Sequence, residues 1–354
     1  MKEQLLNDAE AKHLLPLAAC IGSKFDRDLL MLLVEGLRSA ETTLTENTIT
    51  VGLDVDENLE HCQRKGYIDR VGSGNGYRFI HDRIQEAALA VYEADVRVGL
   101  EYQVGRILAT KLPHDQLEAM VFTILGLLKN GLERSHMHDE EKVMLLNLNI
   151  LAGNKAMSCS AFQPARNYFN AAIELLPEDA WGSDYQLTLD LYSSMVEAEY
   201  SVANFPAVQV LCDTVMKEAV VLASDKLRVC NVMIAALVAQ SKPLESIDMA
   251  LPVLRDCGCK IPRGILRVTV ATVAGLFHTK FSRKMKSADI LASLPISTDP
   301  TQAAVMKTLD RLATSAFVGK PDFFPIIVLK SLQWTFENGI TLYSPAAFAL
   351  TGLL

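Results

Sequence analysis

Hydrophobic positions recur with a helical period over most of the chain. From residue 95 onward, apolar residues return every three or four positions, and short polar or proline-containing breaks separate the runs. This pattern predicts a succession of amphipathic helices that pack in pairs. The predicted helices span 95–111, 116–131, 140–158, 163–176, 184–202, 206–222, 225–240 and 243–256, and further helices are predicted within 301–317, 323–339 and 344–354.

A proline recurs at the start of the second helix of each pair. It lies in segments 162–165, 205–207 and 242–244, which are spaced by about forty residues. Proline suits a first helical turn, because the donor that it lacks would be unpaired there. The clearest copy ends at Pro177 and presents one apolar face, as a tetratricopeptide helix pair does: Ala165, Tyr168, Phe169, Ala172, Ile173 and Leu176. Residues 95–354 are therefore predicted to form a tetratricopeptide-like α-solenoid, and the uncapped apolar end predicts truncation within a repeat.

Residues 1–94 show a different pattern. Helices are predicted over 12–20 and 27–34, with Asp26 as the cap of the second, and over 54–65, whose acidic start and basic end suit helix polarity. Two short segments with aromatic and β-branched residues, 66–71 and 76–80, then flank a glycine-rich turn and predict a hairpin. Three helices and a hairpin predict a winged-helix module in a mainly α protein. A further helix is predicted to begin near His81.

Composition argues against general binding of nucleic acid and against a membrane span, and it indicates a cytoplasmic location. Lys and Arg total 34 against 42 Asp and Glu, a net charge of −8 without a block of like charge, so a general electrostatic grip on nucleic acid is not expected. Seven cysteines without a preceding signal peptide are typical of free thiols in a reducing compartment, so a cytoplasmic location is expected. The longest apolar runs, 264–277 and 323–329, are shorter than the ~20 residues of a membrane span, so no membrane contact is expected.

Four segments carry a resemblance to a known family: LAACIGSKFD, GYRFIHDRIQEAAL, IELLPEDAW and FENGITLYSPAAFALTGLL. In this order they resemble the region downstream of the nucleotide-binding domain in multi-sensor signalling kinases with a STAND/AAA-type ATPase domain. The resemblance implies a winged helix packed on the ATPase, followed by helical repeats, with a GAF sensor and a histidine- or serine/threonine-kinase module elsewhere in the full-length protein. It also implies ATP and ADP as cofactors of the full-length protein, and adjoining nucleotide-binding and kinase domains as partners.

The resemblance further assigns a role to His81 and Asp82. It implies that His81 donates a hydrogen bond to the β-phosphate of ADP in a closed state, and that Asp82 orients the following helix, provided that a partner ATPase domain is present. A histidine at a strand-to-helix junction lies beside free backbone donors, which favour phosphate. From the residues alone, the alternative is that Asp82 caps the helix and His81 simply packs.

No segment predicts a catalytic centre or a metal site. The sequence lacks a G-x-x-x-x-G-K-[ST] loop, and glycines within 72–76 join two strands instead of leading into a helix. Segment 257–259 supplies two cysteine thiols, whereas structural zinc needs about four ligands. The histidines of segment 136–138 occupy consecutive positions of the chain, which point to different sides of a helix or loop, so this segment is not predicted to bind a metal. The chain itself is therefore expected to be non-enzymatic and without a cofactor.

Two functions remain open. In the first, the solenoid binds a protein or ligand signal and the winged helix passes that event to an adjoining ATPase, so the chain is a regulatory scaffold. In the second, the chain is a DNA-binding winged-helix regulator with a ligand-sensing solenoid, in which Arg64 and Lys65 approach the major groove. Acidic residues on the same helix would repel phosphate and oppose the second function: Asp54, Asp56, Glu57 and Glu60.

Overall fold

The structure is a computed structural model that describes residues 2–39, 53–72, 74–132, 137–262, 269–275 and 293–352. Helices dominate these residues, so the prediction of a mainly α protein is confirmed. Within the same ranges, none of the helices is both long enough and apolar enough to cross a membrane. The chain forms two compact units, Met1–Cys159 and Ser160–Leu354. The predicted division after residue 94 rests on sequence pattern and stays a prediction.

Side-chain caps mark the starts of three helices in the first unit. Asp8 Oδ1 accepts from the Ala11 amide at 3.1 Å, and Asp26 Oδ1 accepts from the Leu29 amide at 2.7 Å, so the predicted role of Asp26 is confirmed. Asp54 caps the predicted 54–65 helix in the same way. The helices are α1 (Lys2–Leu6), α2 (Ala9–Ile21), α3 (Arg27–Ser39), α4 (Val55–Arg64), α5 (Asp82–Leu89), α6 (Ala94–Lys111), α7 (His114–Gly131) and α8 (Asp139–Ser158).

A small antiparallel sheet joins these helices. Strands β2 (Ile68–Val71) and β3 (Gly76–Phe79) form the predicted hairpin, which is confirmed, and β1 (Lys24–Asp26) pairs with the other edge of β3. Between the predicted helices 12–20 and 27–34, the sequence of residues 21–26 (IGSKFD) predicts a turn. This prediction is wrong for residues 24–26, which form β1; Phe25 is buried and its ring lies 5.5 Å from that of Phe79. A three-residue strand has too few positions to show an alternating pattern in the sequence.

Consecutive helices pack on one another throughout the second unit. Helix α11 contacts α9, α12 and α13, and further along the unit α14 and α15 contact each other and α13. Fully buried apolar side chains such as Phe169 and Leu309 fill the spaces between them. The helices are α9 (Phe162–Glu174), α10 (Ala180–Ser183), α11 (Tyr185–Ser201), α12 (Phe205–Glu218), α13 (Leu227–Ala239), α14 (Pro243–Asp256), α15 (Pro300–Gly319), α16 (Phe324–Asn338) and α17 (Ser344–Thr351). Residues 269–275 are also helical.

Three turns of this unit share one backbone feature. Ser160, Ala203 and Ser241 have φ angles of 58°, 58° and 61°, and each lies just before α9, α12 or α14. After Ala203 the Asn204 amide donates to the Glu199 carbonyl at 2.9 Å, and the bond from Lys242 to Leu237 spans the same five positions. These are the hydrogen bonds of a Schellman turn, which ends a helix and redirects the chain.

Most predicted helices agree with the structure to within a few residues, but two differ at their ends. The helix predicted over 27–34 continues in α3 to Ser39, so its predicted end is wrong. The prediction that a helix extends over 206–222 is wrong at its end, because α12 stops at Glu218 and leaves the side chains of Val220 and Val221 exposed. Adjacent β-branched residues disfavour helix continuation. Segment 39–51 is rich in threonine and lacks a helical period, so no helix is predicted there; most of this segment lies outside the described residues. Ser73, His136 and the last two residues of the predicted 344–354 helix also lie outside them.

Candidate functional site

His81 and Asp82 lie where strand β3 leads into helix α5. His81 is the N-cap residue, with extended backbone angles of φ −141° and ψ 143°, and its carbonyl accepts from the Ile84 amide at 2.9 Å. Asp82 is the first residue inside the helix, so His81 and not Asp82 holds the cap position. Both residues are exposed. The pair is therefore accessible to a ligand from outside the unit.

A second group of polar side chains converges between helices α2 and α4. His61 Nε2 lies 3.0 Å from each carboxylate oxygen of Asp8, and His61 Nδ1 lies 2.5 Å from Glu10 Oε2. The side chains of Asp8 and His61 are 11% and 18% exposed, whereas that of Glu10 is 49% exposed. We call Asp8, Glu10 and His61 the carboxylate–histidine cluster.

Helix ends position this cluster. Asp8 caps α2 and Glu10 lies in its first turn, while His61 lies in the last turn of α4, which packs against α2. The α2 start suits the two carboxylates and the α4 end suits a cationic imidazole, because each complements the local helix dipole. The cluster thus ties the start of one helix to the end of another.

The surroundings of Asp8 keep its carboxylate ionised. Burial raises the pKa of Asp8, but the hydrogen bonds from His61 and the Ala11 amide, together with the positive charges of His61 and Lys65, outweigh burial and hold that pKa below its usual value. The pKa of Tyr67 is raised, first by burial and then by the negative charge of Asp8, to which Tyr67 also hydrogen-bonds. At neutral pH the site therefore presents a carboxylate beside a protonated phenol.

An open cavity of about 790 Å³ adjoins the cluster. Besides the cluster, Gln4, Asn7, Lys65 and Tyr67 contribute polar atoms to its lining, and Ile84 contributes an apolar side chain. The combination of carboxylate, imidazole, amide and phenol can bind a cation or a small polar molecule.

Sequence reasoning did not find this cluster. Asp8 and Glu10 precede an apolar run and so signal only the start of a helix. His61 lies 53 positions from Asp8, and no spacing rule connects the two. Only the packing of α4 on α2 brings them together.

Three segments carry candidate residues for phosphate or metal binding, 72–76, 136–138 and 257–259, and the described parts of each lie in turns or at the ends of helices and strands. Segment 72–76 connects β2 to β3, and the His138 amide donates to Glu141 at the start of α8. Cys259 is buried, which raises the pKa of its thiol to about 12, and Cys257 is half-buried. Among the described residues, the carboxylate–histidine cluster is the group of three side chains whose spacing suits a metal ion.

Helix α4 does not present a basic surface. Asp56, Glu57 and Glu60 are exposed on it, as are Arg64 and Lys65. The guanidinium of Arg27, a further positive charge nearby, is paired with Asp56, with Nη2 2.6 Å from Oδ2. Acidic side chains along a helix repel the phosphates of DNA.

Comparisons with known proteins give one informative similarity. The chain is 24% identical to hybrid signal transduction histidine kinase G of Dictyostelium discoideum, over 98% of this chain. The aligned region covers 12% of that relative, so the chain spans a small part of its length. No protein-family model and no solved structure match the chain. The similarity supports a signalling-related role.

Proposed function

We propose that this chain is a non-catalytic regulatory segment of an intracellular signal-transduction ATPase or kinase. The observation that carries the proposal is the similarity to a signal transduction histidine kinase, which extends over 98% of this chain but over only 12% of the relative. A match of this kind is expected when a chain corresponds to one internal region of a larger protein. In this proposal the chain senses a protein or ligand and passes the event to adjoining nucleotide-binding and kinase domains.

The element order of the first unit supports a winged-helix module. Strand β1 lies between α2 and α3, and α4 is followed by the β2–β3 hairpin, whose strand β3 pairs with β1. This order of helix, strand, two helices and hairpin is that of a winged helix. The acidic surface of α4 favours packing on a protein partner over reading of DNA.

The second unit supports a tetratricopeptide-like array. The helix-ending turns at Ser160, Ala203 and Ser241 recur at similar spacing, and each precedes the second helix of a pair. Repeated helix pairs stack on their neighbours and create extended surfaces for proteins or peptides. We infer that this unit receives the signal and that its partner is a protein.

Nucleotide sensing by His81 and Asp82 requires the adjoining ATPase domain. Both residues are exposed at the start of α5, so a nucleotide bound to another domain can reach them, and this accessibility supports the proposal. Backbone donors at a helix start and an imidazole together favour an anionic group.

The test uses the larger protein that this proposal implies, including its nucleotide-binding domain. ADP is expected to raise its melting temperature, and His81→Ala is expected to remove most of this increase. His114→Ala is the matched control, because His114 is also exposed at the start of a helix and its change should leave the ADP effect intact. Equal ADP protection of the wild type and the His81 variant would contradict nucleotide sensing by this residue.

A further inference from the structure

The ligand atoms of the carboxylate–histidine cluster lie close to the spacing of a metal site. A divalent zinc-like ion bonds imidazole nitrogen and carboxylate oxygen at about 2.0–2.2 Å, which at tetrahedral angles places the two ligand atoms about 3.3–3.6 Å apart. His61 Nε2 lies 3.0 Å from each oxygen of Asp8. An ion that replaces the proton between them therefore requires the Asp8 carboxylate to move outward by less than about 1 Å, which is a side-chain adjustment.

Glu10 provides the support that a ligating histidine needs. A histidine that binds metal through one ring nitrogen usually donates the N–H of the other to a carboxylate, which fixes the ring and strengthens the ligand. Glu10 Oε2 lies 2.5 Å from His61 Nδ1, the ring nitrogen that does not contact Asp8. Asp8 is itself fixed by the Ala11 amide and by Tyr67.

The cavity gives the ion a route and leaves room for water ligands. It opens onto Asp8, Glu10 and His61, and the side chains of Gln4 and Asn7 also line it. Lys65 lines it as well and weakens cation binding by repulsion, but two carboxylates outnumber this one ammonium group. Imidazole with carboxylate suits Zn²⁺ or Co²⁺ better than Mg²⁺, which prefers oxygen ligands alone.

We propose that Asp8 and His61 bind one divalent transition-metal ion, with Glu10 positioning His61 and water in the remaining coordination positions. The site is therefore open and water-rich, and it differs from a structural zinc site with four protein ligands. The bound ion joins the start of α2 to the end of α4 and stabilises the first unit. This site is independent of the proposed nucleotide sensing, because it uses none of the same residues.

Co²⁺ titration of the full chain tests the proposal, because the absorption of Co²⁺ distinguishes its ligands. Cysteine ligands add a strong thiolate charge-transfer band that nitrogen and oxygen ligands do not produce. Carrying Cys159→Ser in every variant removes the exposed thiol. We expect one equivalent of Co²⁺ to bind without a thiolate band, to be displaced by Zn²⁺ and not to be displaced by Mg²⁺.

Four further variants assign the ligands. Asp8→Asn and His61→Gln should each abolish binding, and asparagine keeps the helix cap, so loss of binding in the first variant does not reflect loss of α2. Glu10→Gln should weaken binding by about 10–100-fold, as loss of an outer carboxylate partner does. Glu3→Gln, an exposed acidic residue in the same unit, should leave binding unchanged.

The proposal is overturned by any of three results. These are the absence of stoichiometric binding, a thiolate band in the bound spectrum, and binding that persists in either Asp8→Asn or His61→Gln. Circular dichroism of each variant establishes that it is folded before its spectrum is interpreted.

Discussion

Ala203 holds a backbone conformation that glycine adopts at lower cost. Its φ of 58° lies in the left-handed region, and the residue is exposed in the turn between α11 and α12. Ala203→Gly removes the clash between the β-carbon and the backbone, and deletes no buried contact. We therefore expect this substitution to stabilise the second unit.

The magnitude follows from two opposing effects. A left-handed conformation costs an L-residue roughly 1–2 kcal/mol, and glycine costs about 0.5–1 kcal/mol through its greater freedom in the unfolded chain. The net gain therefore lies between about 0 and 1.5 kcal/mol, with a midpoint of about 0.75 kcal/mol. For a unit of this size the midpoint raises the melting temperature by about 1.5–3 °C.

Tryptophan fluorescence during urea unfolding of the full chain measures the effect. Trp181 and Trp334 are the two tryptophans of the protein, and both lie in the second unit. Ala235→Gly, in the interior of α13, is the matched control and should destabilise by about 1 kcal/mol. If Ala203→Gly destabilised the unit as much as this control does, our account of the turns would be refuted.

Three further predictions follow from side-chain environments. Arg166→Ala leaves the buried carboxylate of Glu199 without its ion pair, in which Arg166 Nε lies 2.7 Å from Glu199 Oε1. Because the Arg166 side chain is 37% exposed, we expect the free energy of unfolding in urea to fall by about 2 kcal/mol, between the values for exposed and buried pairs. A thiol reagent should label Cys159 fastest in the folded protein, because burial raises the pKa of the buried thiols to about 12. A hydrogen bond from Arg27 lowers the pKa of Asp56, so this pair stabilises the fold at neutral pH, and its contribution is lost as the pH falls through the lowered pKa. In an NMR titration, Arg27→Ala should raise the pKa of Asp56. An unchanged pKa would contradict the pairing.

Long-period features of the fold were predictable from the sequence. Helices of more than three turns repeat their apolar pattern several times, which is why the prediction over 95–111 agrees with α6, Ala94–Lys111, to within one residue. The hairpin was predictable because glycines mark its turn. Strand β1 was not, since Phe25 is its only fully buried position and becomes so by packing on β3.

The two candidate sites also differ in how far the sequence predicts them. His81 and Asp82 lie at a boundary that the sequence marks locally, and the structure places them at the start of α5, as the pattern implies. The carboxylate–histidine cluster depends on the approach of two helices that are distant in the sequence. A single sequence contains no spacing that relates His61 to Asp8, so only the folded chain reveals the cluster.

The central claim is that this chain acts within a larger signalling protein, and its apparent size in cells tests that claim most directly. An immunoblot of the native source with an antibody against residues 153–182 would measure this size, and competition with the immunising peptide would establish that the band is specific. The account predicts a specific band far above the 38.9 kDa of this chain. A specific band at 38.9 kDa with none above it would contradict the account.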